Sequence, residues 1–151
     1  MIKILFVCTG NTCRSPMAEA LANKIFKEKN LNIKSDSAGI SVNLFSGASE
    51  NSVSAMRDYN IDLSGHKAKN ITKKIFDEND FILTMTKQHK IFLDGKFFYA
   101  NNKIFTLSKF ACNKDYDIID PFGCDLETYK RCVNEILDFI KIIADKFSKQ
   151  E

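Results

Sequence analysis

Cys8 and Arg14 are separated by five residues in the segment CTGNTCR, and Ser15 and Pro16 follow at once. A loop this short can bring one thiol, one guanidinium and a row of backbone N–H groups onto a single tetrahedral anion. Cysteines beside a helix N-terminus and a cation are thiolates near neutrality, which makes Cys8 the candidate nucleophile. Arg14 offers a planar fork of donors that matches two oxygens of such an anion. Gly10 permits a tight backbone turn, and Thr9, Gly10, Asn11, Thr12, Cys13 and Ser15 supply the rest of the expected anion site. An inert buried cysteine and a surface arginine would be the plainer reading of either residue alone. Gly10, Asn11, Arg14, Ser15 and Pro16 together favour the anion site.

A second chemical feature lies in the segment DIIDPFGCD, from Asp117 to Asp125. Pro121 keeps the preceding Asp120 out of helical conformation, and Gly123 lets the chain turn. By itself Asp120 reads as a turn aspartate. Set against the Cys8 loop, it is the candidate general acid. No metal or cofactor is expected, because Cys8 and Cys13 are loosely spaced and no histidine lies near them in sequence.

These residues need a scaffold, and its outline is legible. Lys3 to Val7 is an almost wholly apolar run, the pattern of a parallel strand buried on both faces. Ser15-Pro16 reads as a helix start with a hydroxyl N-cap. From Met17 the apolar positions Leu21, Ile25 and Phe26 mark one helix face that ends near Asn30. The Cys8 loop therefore joins a strand end to a helix start, the place where open α/β sheets bind ligands.

Further strands are expected at Ile33 to Ser37, Phe81 to Met85 and Lys103 to Leu107. Helices are expected around Val53 to Arg57, at Ile71 to Asp77, at Lys87 to Leu93 and from about Asp125 onward, with Leu44 to Glu50 as loop. The last helix carries acids early and lysines late, as the helix dipole favours. Its stripe is Tyr129, Val133, Ile136, Leu137, Ile140, Ile143, Ala144 and Phe147. The expected fold is α/β, with a four-stranded, mainly parallel sheet and helices on both faces, in one domain spanning residues 1–151.

Composition narrows the function. Of the 151 residues, 44% are hydrophobic and 27% charged, the balance of an ordinary globular chain. A net charge of +3 is too small to point to nucleic acid. No apolar run approaches the ~20 residues of a membrane span, and no signal peptide is read at the start. Five cysteines, an odd number without a secreted-domain pattern, point to a reducing cytoplasm.

The motifs CTGNTCRSP and DPFG together resemble the low-molecular-weight protein tyrosine phosphatase family. SDSAG, IDLSGH and FILTM also fall where that family has similar segments, so the resemblance spans essentially the whole chain. It implies a nucleophilic Cys8, a phosphate-binding Arg14, and Asp120 acting first as acid and then as base through a cysteinyl-phosphate. It also implies that Asn11, Ser15, Ser37 and His66 form a supporting network; for His66 the assignment rests on the resemblance alone. The implied partners are phosphorylated proteins as substrates and inorganic phosphate as product, handled by a monomer.

Within the family, Thr12 occupies a position that is commonly a larger aliphatic residue in the tyrosine-specific branch. CTGNTCRSP, MTKQHK and DPFG look more like the bacterial protein arginine phosphatases. Phosphoarginine is therefore the favoured substrate, with phosphotyrosine close behind and a strict tyrosine phosphatase as the alternative. Phe122 can stack on a phenol ring or a guanidinium, so it does not discriminate. Arsenate reductases of this fold add a cysteine pair around the segment that here reads ILTMTKQHK, which has none. Two readings of Cys13 stay open: a reversible disulfide partner for Cys8, or a small buried thiol under the loop.

Overall fold

The computed structural model describes residues 1–150. Strands β1 (Ile2–Cys8), β2 (Ile33–Gly39), β3 (Phe81–Thr84) and β4 (Ile104–Thr106) alternate with helices α1 (Arg14–Glu28), α2 (Glu50–Arg57), α3 (Lys73–Glu78), α4 (Lys87–Lys96), α5 (Leu107–Cys112) and α6 (Leu126–Ser148). The four strands form one sheet in the order β2-β1-β3-β4, and every pairing is parallel. The expected α/β architecture is the one observed.

Alternation along β1 decides which layer each side chain joins. Ile4, Phe6 and Cys8 face a core that includes Met17, Leu21 and Phe26 of α1 and Ile136 and Ile140 of α6. Leu5 and Val7 face the opposite layer, against Phe76 of α3 and Leu93 of α4. Both faces of β1 are thus covered, and each fully buried Leu or Phe contributes about 1.5–3 kcal/mol. The strand order reverses at β1, which has β2 on one side and β3 on the other. The crevice at the carboxyl ends of such neighbouring strands is where an open sheet accepts ligands.

Several boundaries differ from expectation. Ser15 is not the N-cap of α1. Cys13 holds that position without a side-chain cap bond, and the Ser15 hydroxyl turns to the Cys8 thiol instead. Helix α3 starts at Lys73 because Thr72 caps it, while the Ile71 N–H is drawn to the carbonyl of Gly39 at 2.8 Å. Strand β4 ends at Thr106, whose hydroxyl caps α5, so Leu107 belongs to a helix that the apolar run KIFTL did not announce. A 3₁₀ segment over Phe98–Lys103 was likewise not anticipated.

Candidate active site

β1 delivers Cys8 to the floor of a cleft of about 400 Å³. Thr9, Gly10, Thr12, Cys13 and Arg14 line it from the loop, and Asp120 and Phe122 line it from the opposite segment. The loop keeps its shape because its polar groups are matched. Asn11 is fully buried with a left-handed φ of 55°, a conformation asparagine tolerates better than most residues. Its amide nitrogen donates to Ser15 Oγ and to Ser37 Oγ, both at 2.9 Å. Its Oδ1 accepts the Lys69 N–H at 3.1 Å.

Those bonds leave each hydroxyl proton free to donate. Ser15 Oγ accepts from Asn11, so its own O–H is free to donate to Cys8 Sγ, 2.8 Å away. Ser37 Oγ accepts from Asn11 and donates to Glu19 Oε2 at 2.5 Å. Burial raises the pKa of that glutamate. His66 Nε2 lies 2.8 Å from the Asn11 carbonyl; a carbonyl only accepts, so this nitrogen carries the proton. Burial lowers the His66 pKa, and the bond to Asn11 opposes the shift. Hydrogen bonds thus join Asn11 to Ser15, Ser37 and His66 around the loop.

Arg14 is 4% exposed. Its Nη1 donates to the Ile118 carbonyl at 2.8 Å, which anchors the guanidinium to the segment that carries the acid. Its Nη2 lies 3.6 Å from Asp120 Oδ2. The buried Nε has no protein partner, a donor that an oxyanion in the loop would satisfy. Asp120 itself is half-exposed and accepts the Phe122 N–H at 3.1 Å. Gly123 has a φ of 77°, the left-handed turn that its residue type suggests. Phe122 is 70% exposed, at the cleft mouth.

Cys13 points away from the anion position. Its Sγ lies 3.4 Å from Ser49 Oγ and 3.3 Å from Tyr129 Oη, the arrangement of a thiol packed under the loop. Burial, reinforced by the bond to Cys13, pushes the Tyr129 phenol up to about 12. The Thr12 carbonyl accepts the Ser49 N–H at 2.9 Å and the Ser52 hydroxyl at 3.2 Å. The start of α2 thus pins the backbone that presents the Thr12 side chain to the cleft. Gly39 at the end of β2 admits the loop closely. A Cβ there would sit 2.5 Å from the Thr9 carbonyl and 3.1 Å from the Asn11 nitrogen.

Some participants had no sequence signal. Ser41, Asn43 and Ser46 join the cleft wall; Ser46 lies in the expected loop Leu44 to Glu50, and Ser41 and Asn43 lie just before it. Glu19, Ser49, Tyr129 and His89 reach the Cys8 loop or its supports across long sequence separations.

The low molecular weight phosphotyrosine protein phosphatase family model matches residues 3–151. The protein-arginine-phosphatase of Bacillus subtilis is 36% identical over 146 residues, 97% of each chain. The low molecular weight protein-tyrosine-phosphatase PtpB of Staphylococcus haemolyticus is 34% identical over 139 residues, 92% of this chain and 95% of that one. A crystal structure of a YwlE mutant from Bacillus subtilis superposes with a TM-score of 0.94 at 34% identity, covering 97% of this chain and 98% of the other.

Proposed function

The chain belongs to the low molecular weight phosphotyrosine protein phosphatase family, and from that premise we propose that it removes phosphate from arginine side chains of phosphorylated proteins. The observation that carries the chemistry is one cleft lined by Cys8, Arg14 and Asp120, with the Ser15 hydroxyl 2.8 Å from the Cys8 sulfur.

In the first step the Cys8 thiolate attacks phosphorus. The S–P bond forms as the P–N bond breaks, and Asp120 gives its proton to the departing guanidine nitrogen. The conjugate acid of a guanidine has a pKa above about 12, so the departing nitrogen needs the proton of Asp120 during cleavage. Arg14 and the loop amides hold the equatorial oxygens in both directions of charge development. In the second step Asp120, now a carboxylate, takes a proton from water as its oxygen attacks phosphorus. Inorganic phosphate leaves, and the thiolate is restored.

Two features support arginine over tyrosine: Thr12 on the cleft wall, and the likeness to a protein-arginine-phosphatase. A strict tyrosine phosphatase is the second reading, favoured by a PtpB relative of nearly equal identity. The five cysteines are all unpaired, which supports a reducing cytoplasm as the working compartment, and we assign the activity to a monomer.

The test of the chemistry is to mix the Asp120→Ala variant with p-nitrophenyl phosphate and analyse its peptides by mass spectrometry. One phosphoryl group on the peptide that carries Cys8 is the expected result. A phosphoryl group elsewhere, or nitrophenol release without any adduct, would contradict the proposal.

A further inference from the structure

One buried titratable side chain near the cleft has no part in this chemistry: His89. It stands in the first turn of α4, where the hydroxyl of Thr86 caps the helix by accepting the His89 N–H at 3.2 Å. The residue is 5% exposed. Its Nε2 lies 2.8 Å from Oγ1 of Thr9, the residue immediately after Cys8. Its Nδ1 is buried and has no partner. A leucine or phenylalanine would fill this space without stranding a polar atom, and a stranded buried nitrogen is costly. The bond to Thr9 is what the imidazole offers in return.

The same turn also holds the segment that presents the acid. The Lys87 N–H donates to Asp117 Oδ1 at 2.8 Å, and the Ile118 N–H donates to the Met85 carbonyl at 2.9 Å. The Ile118 carbonyl in turn takes the Arg14 Nη1 bond. Met85 to His89 therefore touches the anion loop on one side and the Asp120 segment on the other. Thr9 is also held through its backbone, since its carbonyl accepts the Ser41 N–H at 3.0 Å.

We infer that His89 is a positioning residue for the phosphatase reaction, locking the Thr9 side chain, and with it the first peptide of the anion loop, to the helix that also fixes the acid segment. The inference rests on the anion-site reading of that loop. Burial first and the Arg14 charge second push the imidazole down to about 4, against the opposing pull of Asp117 and Asp120. His89 thus anchors Thr9 as a neutral group near neutrality. A lysine in its place would bring a second charge beside Arg14 and compete with it for the anion.

The experiment is a double-mutant cycle read by calorimetric binding of inorganic phosphate and by kcat on p-nitrophenyl phosphate. The variants are Thr9→Val, His89→Phe, the pair together, and His89→Gln, which keeps an amide within reach of Thr9. Each of the first two is expected to weaken phosphate binding and lower kcat about tenfold, the loss typical of one internal hydrogen bond. The pair should lose no more than the worse single, because both remove the same bond. His89→Gln should recover most of the loss.

Wild-type behaviour of His89→Phe, or losses that multiply in the pair, would overturn the inference while leaving the anion site intact. A wild type that binds no phosphate would overturn both. If His89→Phe fails to fold, Thr9→Val and His89→Gln decide: a roughly tenfold loss in Thr9→Val with near wild-type values in His89→Gln upholds the inference, and any other pattern overturns it.

Discussion

The Cys8 thiol and the Ser15 hydroxyl lie 2.8 Å apart, and the same hydroxyl accepts the Asn11 amide at 2.9 Å. With that bond accepted, the serine proton can point at sulfur and donate to the Cys8 thiolate that attacks phosphorus.

Ser15→Ala removes this donor and leaves the apolar packing in place. A hydrogen bond to a charged group is worth about 1.5–3 kcal/mol, so kcat should fall roughly ten- to a hundredfold. Alkylation of Cys8 by iodoacetamide at neutral pH should slow in parallel. An unchanged alkylation rate would show that the hydroxyl does not act on the sulfur.

Asp120→Asn keeps the turn but cannot transfer a proton. Rates on substrates with poor leaving groups should drop about 10²–10⁴-fold, and those on activated aryl phosphates far less in the first step. Equal losses on both substrate classes would assign Asp120 a structural role only.

Gly39→Ala forces a methyl group to within 2.5 Å of the Thr9 carbonyl and of Val42 Cγ2. Backbone shift at such a contact costs about 1–3 kcal/mol, and here it lands on the anion loop. The urea midpoint and kcat should fall together. Full activity with a lowered midpoint would mean that the strain is absorbed on the Val42 side.

His89 gives stability a definite pH dependence. Its folded pKa lies at about 4 against an ordinary value of 6.5, chiefly through burial. The unfolded chain therefore binds a proton that the folded chain refuses, and stability declines as pH falls from about 6.5 toward 4. Urea midpoints measured across that window should decrease with acidity, and less steeply in His89→Gln. The depressed His66 pKa acts in the same direction and persists in that variant.

How much of this was legible in the sequence follows from how local each signal is. The Cys8 loop could be read because an apolar strand, a turn and a Ser-Pro step occupy adjacent positions. Asp120 could be read because Pro121 and Gly123 restrict the chain around it. Ser15 misled as a cap because the local rule sees only a hydroxyl before proline, whereas the thiol that claims it comes from β1. Helix α5 escaped because its cap, Thr106, is also a good strand former and six residues are too few to show a helical period. His89 escaped because its bond to Thr9 spans 80 positions, so the segment MTKQHK registers only as a resemblance and not as a partner of the loop. The 40s loop carries no pattern at all, and only the fold brings Ser41 and Ser46 to the cleft.

The most direct measurement is kcat/KM of the wild type and of Thr12→Ile on peptides that differ only in phosphoarginine or phosphotyrosine. The wild type should favour phosphoarginine, and Thr12→Ile should move the ratio toward phosphotyrosine by placing a larger aliphatic group on the cleft wall. A wild type that prefers phosphotyrosine, with a ratio that Thr12→Ile leaves unchanged, would contradict the assignment to arginine.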